Sequence, residues 1–425
     1  MAEQDLLSSQ IAEVLRQQPR ADIVVGLPSY NHGTTVAGVV RALRAGLAQS
    51  FPDLTALIVD IDTGSTDGTL ISITELQAEP GATLVQLGIV AQDWVMPYHG
   101  IPEKGEALNA TLQIARQVGA RACLVLTPDV TSPSPQVIDQ LLGPILREGY
   151  DFVLPLYLRH KFDGPITSSV VRPLVRALYG RRVQQPMSGD FAFSTALVER
   201  YLTMNVWVTD LARFGSDIWT TTQAMCGGFK MCHVQFGLRN QARSAPPSDL
   251  RATVNQVLGS LFEDMTRNAA VWQRVRGSLP IAVLGEEAQG TPTPVTLDYR
   301  KSVESFCLGL RNLRDLWALV LAPATLLELH RAAGLAPERF ALPDAVWCRV
   351  LFDFALGYRL RTINRSHLLE AFLPLYLGWL GSFVREMQDA SDGVAEERVE
   401  ELCRAYETQK PYLMSRWRSP DRFNP

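Results

Sequence analysis

The sequence predicts an α/β protein in two parts. Residues 1–245 read as a domain built on a mostly parallel sheet, and residues 246–425 as a mainly helical C-terminal domain. Three observations predict this. Short β-branched runs alternate with Ala/Leu/Val-rich helical stretches, as in βα units whose strands are buried on both faces. Each run stops in a polar turn carrying Asp, Ser, Gly or Lys. Beyond Ala245-Pro246-Pro247-Ser248 the strand signal fades and helical periodicity takes over, as at Val254, Val257, Leu258, Leu261 and Phe262.

In chain order, Leu6, Leu7, Ile11, Val14 and Leu15 mark a short amphipathic helix over residues 5–18. The first strand, Ile23–Leu27, stops at Pro28-Ser29-Tyr30-Asn31, and a helix follows over 35–49. The second strand, Ala56–Asp60, runs into Asp62-Thr63-Gly64-Ser65-Thr66-Asp67-Gly68-Thr69. Thr83–Leu87 is the third. Tyr98–Gly105 then leads into a helix expected over 106–118. Ala122–Leu126 is the fourth strand, ending in Thr127-Pro128-Asp129, and Phe152–Leu156 is the fifth. Gln185-Pro186-Met187-Ser188-Gly189-Asp190 opens the apolar run Phe191-Ala192-Phe193, which places a carboxylate at the mouth of a loop. Crossovers in such a series are right-handed, and ligands bind beyond the carboxyl ends of the strands, where these turns lie. In the helical part, Gly285–Pro294 is a connector. Leu368–Val384 is largely apolar but short for a span of ~20 residues. With Glu370, Pro374, Gly378 and Gly381 inside it, it reads as a buried, Pro-kinked helix and as a face for a homodimer.

A hydrophobic content of 47% and a charged content of 20% describe an ordinary globular protein. The net charge of −4 removes any electrostatic case for nucleic acid or an anionic membrane as partner. Six cysteines without a CxxC pair sit among apolar neighbours, which suits reduced thiols in the cytoplasm. The polar Met1–Gln10 segment carries no signal-peptide pattern.

No P-loop and no GxGxxG follows the first strand, so the phosphate cradle of an ATPase or a dinucleotide oxidoreductase is missing. HExxH, GxSxG and zinc-spaced Cys/His clusters are absent too. What remains is Asp62, Asp67, Lys104, Asp129, Asp190 and Asp217, spread over strand-end loops. A carboxylate fits ribose hydroxyls or a base edge, and a Lys beside Gly105 approaches a diphosphate closely. A carboxylate beside a diphosphate points to Mg²⁺ or Mn²⁺. Each residue also has a plainer use. Asp67 reads better as a helix N-cap and Trp207 and Trp219 as core. For Lys104 a solvated cation and a phosphate ligand stand even. For Asp190 taken alone a turn cap is the plainer reading, which the rest of the chain shifts toward a site. Arg159, His160 and Lys161 are either a basic edge or ligand contacts.

These residues carry a resemblance. Pro28-Ser29-Tyr30-Asn31, Asp62-x-Gly-Ser-x-Asp67-Gly, Lys104-Gly105 and Gln185-Pro186-Met187-Ser188-Gly189-Asp190 resemble retaining GT-A glycosyltransferases. Within these, the chain is most similar to the glucosylglycerate, glucosyl-3-phosphoglycerate and mannosylglycerate synthases. Arg159-His160-Lys161-Phe162-Asp163-Gly164, the Pro173–Gly180 segment, Arg213-Phe214-Gly215-x-Asp217-Ile218-Trp219 and the helices over 340–417 extend the likeness to nearly the whole chain. The resemblance implies a GT-A, Rossmann-like nucleotide-sugar domain and hexose transfer from a UDP- or GDP-linked donor. The acceptor would be D-glycerate or a similar hydroxy acid, and the product a compatible solute. It places Pro28, Ser29, Tyr30 and Asp62 on the nucleoside, Lys104 on the leaving diphosphate and Asp129 on metal or sugar. Asp190 and Asp217 would hold sugar hydroxyls or orient the acceptor, with Gly189, Arg159, Lys161, Gly164 and Thr167 as further substrate contacts.

The departures from the pattern are specific. The family's Asp-x-Asp is Thr127-Pro128-Asp129 here, and Gln241 stands at the usual place of a metal-binding His. Thr and Gln are poor substitutes on a hard divalent ion, so metal dependence stays open. His233 lies nearby but reads as packed. Pro165 stands where phosphoglycerate-using relatives carry an acceptor-phosphate Arg, which argues for an unphosphorylated acceptor. Two functions stay open: an active transferase, and a degenerate relative that holds a nucleotide or a partner without turnover.

Overall fold

The computed structural model describes residues 2–89, 95–130, 134–238 and 249–418. Its strands are β1 (Ile23–Ser29), β2 (Ala56–Asp62), β3 (Thr83–Gly88), β4 (Ala122–Val125), β5 (Phe152–Leu158), β6 (Arg181–Arg182), β7 (Phe191–Ser194), β8 (Met231–Leu238), β9 (Leu279–Pro280) and β10 (Ala282–Leu284). Eight of them form one sheet in the order β10-β8-β5-β7-β4-β1-β2-β3. Neighbours run parallel except at β7, which is antiparallel to both β4 and β5. The mostly parallel α/β sheet is the one the sequence predicts, and the five expected strands fall where their β-branched runs lie.

The chain divides into two compact units. One comprises Met1–Leu158, Met187–Asp249 and Ile281–Gly290; the other comprises Arg159–Pro186, Leu250–Pro280 and Thr291–Pro425. The division therefore does not run at a single point near residue 245. Residues 159–186 leave the sheet unit where β5 ends, and 281–290 return to it because β10 pairs in parallel with β8. Ala245, Pro246 and Pro247 themselves lie outside the described residues.

In the sheet unit all seven residues of β1 are buried, the mark of a central strand covered on both faces. One face packs Val25, Leu27, Ile58 and Leu124 against Val36, Val40, Leu43, Leu141 and Leu142 from flanking helices. On the other, helix Lys104–Gln117 lies so close to β1 that a side chain at Gly26 would collide with Thr111. The edge strand β3 is closed by Gln10, whose amide bonds the backbone N–H and C=O of Gly88 at 2.9 and 3.2 Å.

The second unit is mainly helical. Helix Asp392–Arg418 packs along Arg172–Tyr179, whose Arg176 bonds Glu400 at 2.6 Å and Glu407 at 3.1 Å. Asp353, fully buried, accepts from Arg416 at 2.6 Å, Tyr412 at 2.8 Å and the N–H of Ala322 at 3.0 Å. The Arg365–Met387 run is long and apolar enough to cross a bilayer, and 67% of its most apolar window is buried inside the protein. It is not one kinked helix. It breaks into Arg365–Glu370 and Leu373–Met387, with Pro374 in the first turn of the second, where its missing N–H costs nothing. Tyr376, Trp379 and Phe383 are buried within the unit.

Candidate functional site

Helix Lys104–Gln117 starts with the residue the sequence marks as a diphosphate ligand. Lys104 is 4% exposed and donates to Asp217 Oδ1 at 2.9 Å and to the carbonyl of Gly189 at 3.4 Å. Two predicted site residues are therefore partners in one buried ion pair, and neither is the solvated group of the plainer reading. Gly105 makes the pairing possible. A side chain there would collide with the backbone carbonyl of Ala212, so glycine lets the helix start dock against helix Asp210–Cys226, which carries Asp217.

Next to this pair, Asp190 is buried at the start of β7. Its Oδ1 accepts from the N–H of Thr127 at 2.9 Å and its Oδ2 from the hydroxyl of Tyr157 at 2.6 Å. Asp190 thereby ties the ends of β4 and β5 together and anchors the Thr127-Pro128-Asp129 turn. The side chain of Asp129 is half-buried at that turn. The partner Tyr157 was not legible as such in the sequence, where it is one more aromatic in an apolar strand.

The loops after β1 and β2 form a laced pair. The N–H of Asn31, held at φ 55°, donates to Ser65 Oγ at 2.8 Å, and Asn31 Oδ1 accepts from Thr66 N–H at 2.8 Å. Asp67 accepts from the N–H groups of Gly33 and Thr69, both at 2.9 Å. It is thus a loop tie, and the helix Thr69–Gln77 takes Gly68 as its cap. Asp62 Oδ1 accepts from Gly64 and Ser65 at 2.9 and 3.0 Å, while its Oδ2, although buried, has no hydrogen-bond partner. Pro28 and Ser29 are buried and Tyr30 is half-buried at the end of β1.

Two histidines join the site without a sequence signal. His32 accepts the N–H of Tyr30 on Nδ1 at 3.0 Å, which leaves the proton on Nε2. Burial holds its pKa down, against the pull of Asp129, Asp67 and Asp62. His99 lies 3.3 Å through Nε2 from the carbonyl of Arg213; burial and the Lys104 charge push it down to about 4, with Asp217 opposing. Both rings are neutral at pH 7. His233 is fully buried with Nδ1 3.4 Å from the carbonyl of Leu154, a packed residue as read. Trp219 is core, and half-buried Trp207 stacks edge-on against it.

The remaining predicted residues belong to the second unit. Gly164, at φ 60°, lies where a Cβ would come within 3.3 Å of Arg159 Nη1 and 3.8 Å of Thr167 Oγ1, so these three cluster. Lys161 does something else. Its ammonium donates to the carbonyls of Met387 at 2.8 Å and Gln388 at 3.0 Å, and also to that of Ala390. It caps the end of a helix, so the ligand contact read into it is replaced by a structural one.

For a divalent metal the fit is incomplete. Among the described residues no three His, Cys, Asp or Glu side chains gather around a common point, and Gln241 lies outside them.

No family model matches the chain, and no curated protein does. Solved structures of glucosyl-3-phosphoglycerate synthase from Mycobacterium tuberculosis are similar to it. The complex with Mn²⁺, UDP and phosphoglyceric acid shares 27% identity, covering 60% of this chain and 82% of that one, at a TM-score of 0.42. A structure of the same synthase whose description names no ligand gives 27%, 60%, 84% and 0.43. A further mycobacterial protein shares 23% identity over 60% of this chain and 78% of its own, at 0.42.

Proposed function

We propose that the chain is a retaining hexosyltransferase that moves glucose or mannose from a nucleotide-diphosphate donor to D-glycerate or a similar small hydroxy acid. The observation that carries this is the buried Lys104–Asp217 pair at a helix N-terminus, beside the Gly189-Asp190 turn and on the carboxyl side of the sheet. A cation and the N–H groups of a helix start are the two features that favour a diphosphate. Asp62 adds a buried oxygen open to an N–H or O–H donor of the nucleoside.

In this reading the C1–O bond to the diphosphate breaks and a C1–O bond to the acceptor hydroxyl forms on the same face. The acceptor proton passes to the departing phosphate oxygen, so no protein nucleophile is required. Lys104 exchanges part of its hold on Asp217 for the growing charge of the diphosphate, a preorganised electrostatic contribution. Asp190, with both oxygens engaged, holds the Asp129 turn in place and does not transfer a proton. A metal, where used, would supply charge neutralisation at Asp129, but the described ligand set does not complete a site and no step is routed through it. For the acceptor, the resemblance names Gly164 and Thr167, and Pro165 in place of a guanidinium favours an unphosphorylated acid.

A second reading is a degenerate nucleotide-binding protein, favoured by Thr127 in place of the family's first Asp-x-Asp carboxylate. Nucleotide release from UDP-glucose, GDP-glucose and GDP-mannose with D-glycerate, in Mg²⁺, Mn²⁺ or EDTA, separates the two. Turnover with any donor supports the transferase. Nucleotide binding without release under every condition supports the degenerate protein.

A further inference from the structure

β2 places Asp60 and Asp62 two residues apart, hence on the same face of the strand. Asp60 is fully buried, in a strand position where an aliphatic residue would carry no desolvation cost. The groups that face it are Ser29 from β1, Gln86 from β3 and Asp62 from its own strand. Gln86 donates to Asp60 Oδ2 at 3.2 Å, while Asp60 Oδ1 meets no donor at full hydrogen-bond geometry and is drawn only by the nearby Ser29 hydroxyl. Asp62 Oδ2 has no hydrogen-bond partner, and Ser29 stands opposite Asp62 in the β1–β2 register. Two buried carboxyl oxygens without a full set of donors, on one face of β2 near its carboxyl end, are costly unless a ligand brings the donors.

We propose that Asp60 is a second carboxyl of the nucleoside pocket, behind Asp62, and that the nucleoside moiety of the donor binds best when Asp60 is protonated. The inference rests on the nucleotide-sugar reading of this loop. A neutral Asp60 both donates and accepts a hydrogen bond, whereas an ionised one adds a buried negative charge next to Asp62 and to an anionic ligand. Burial, with Asp62 adding to it, lifts Asp60 to about 7, against the pull of Ser29 and Gln86, so the change of state falls near neutrality. The sign follows. Binding favours the protonated form, so affinity is highest below that pKa and falls as pH rises through it.

The test is calorimetric titration of the full chain with UDP-glucose, GDP-glucose and GDP-mannose between pH 5.5 and pH 8.5. A diphosphate diester does not itself titrate there. For whichever donor binds, the wild-type affinity is expected to fall by roughly three- to tenfold across this range, the size of one added charge in a partly screened site. Asp60→Asn, locked neutral, is expected to hold the low-pH affinity throughout. Gln86→Leu, which removes a donor to Asp60 without touching it, is expected to move the fall to higher pH, and it keeps the test open if Asp60→Asn does not fold. A wild-type pH profile retained by Asp60→Asn, or by Gln86→Leu, overturns the role of Asp60 while leaving the transferase reading intact. Failure of the wild type to bind any of the three donors at any pH overturns both.

Discussion

Buried charge is used in two ways in this molecule. In the helical unit, Asp353 is surrounded by Arg416, Tyr412 and the Ala322 N–H, and Arg176 is held by Glu400 and Glu407. Each of these groups is matched by the protein itself. In the sheet unit, Asp62 keeps one oxygen for its own loop and leaves the other open, and Asp60 does the same beside Gln86. Both arrangements carry a desolvation cost, but only the second leaves something for a ligand to complete. The matched Asp353 carboxylate acts as a strut, and the open oxygen of Asp62 is left for a ligand.

The two ion pairs separate strut from site by the largest effects. Arg416→Leu strands Asp353 and is expected to cost about 3–5 kcal/mol in chemical denaturation, with nucleotide affinity unchanged. Lys104→Ala strands Asp217 and carries a similar penalty, so it confounds stability with activity. The double variant Lys104→Met/Asp217→Leu removes both charges and is expected to fold near the wild-type stability while losing ~100-fold or more in kcat. Wild-type turnover in that variant would remove the pair from the mechanism.

Asp62→Asn retains an oxygen for the loop and turns the open acceptor into a donor. Its stability is expected to drop by only about 1 kcal/mol, with nucleotide affinity falling ~10-fold or more. The opposite pattern, a large stability loss with intact binding, would make Asp62 a strut like Asp353. Gly105→Ala forces a methyl against the Ala212 carbonyl, and about 1–3 kcal/mol of destabilisation is expected from this overpacking. The smallest effect is at His99, whose pKa in the folded chain lies at about 4. The unfolded chain takes up the proton first on acidification, so stability is lost as pH falls from the ordinary histidine range toward 4. With the ring partly exposed, about 1–2 kcal/mol is expected, and His99→Gln should flatten that slope in pH-dependent melts.

How much of this was legible depends on range. The βα order, the strand ends and the polar turns follow from local periodicity and turn chemistry, which each segment carries in its own residues. Lys104-Gly105 could be singled out because a cation beside glycine before a helix is a local pattern. Asp217 was singled out too, but its pairing with Lys104 could not be, because the two lie 113 residues apart and their meeting depends on two helices docking through a missing side chain. Lys161 misled for the same reason, since a basic residue in a loop looks alike whether it meets a ligand or the carbonyls of a helix 226 residues on.

The amino-acid order by itself determined the α/β class, the helical character of the C-terminal half and the set of carboxylates at strand ends. Short-range sterics and the burial of apolar faces act within a few residues and need no distant partner. The tertiary structure decided which carboxylates are saturated and which stay open. It also decided that 159–186 belongs with the helices and 281–290 with the sheet. Hydrogen-bond saturation and strand pairing join residues far apart in the chain, and no local pattern encodes the far partner.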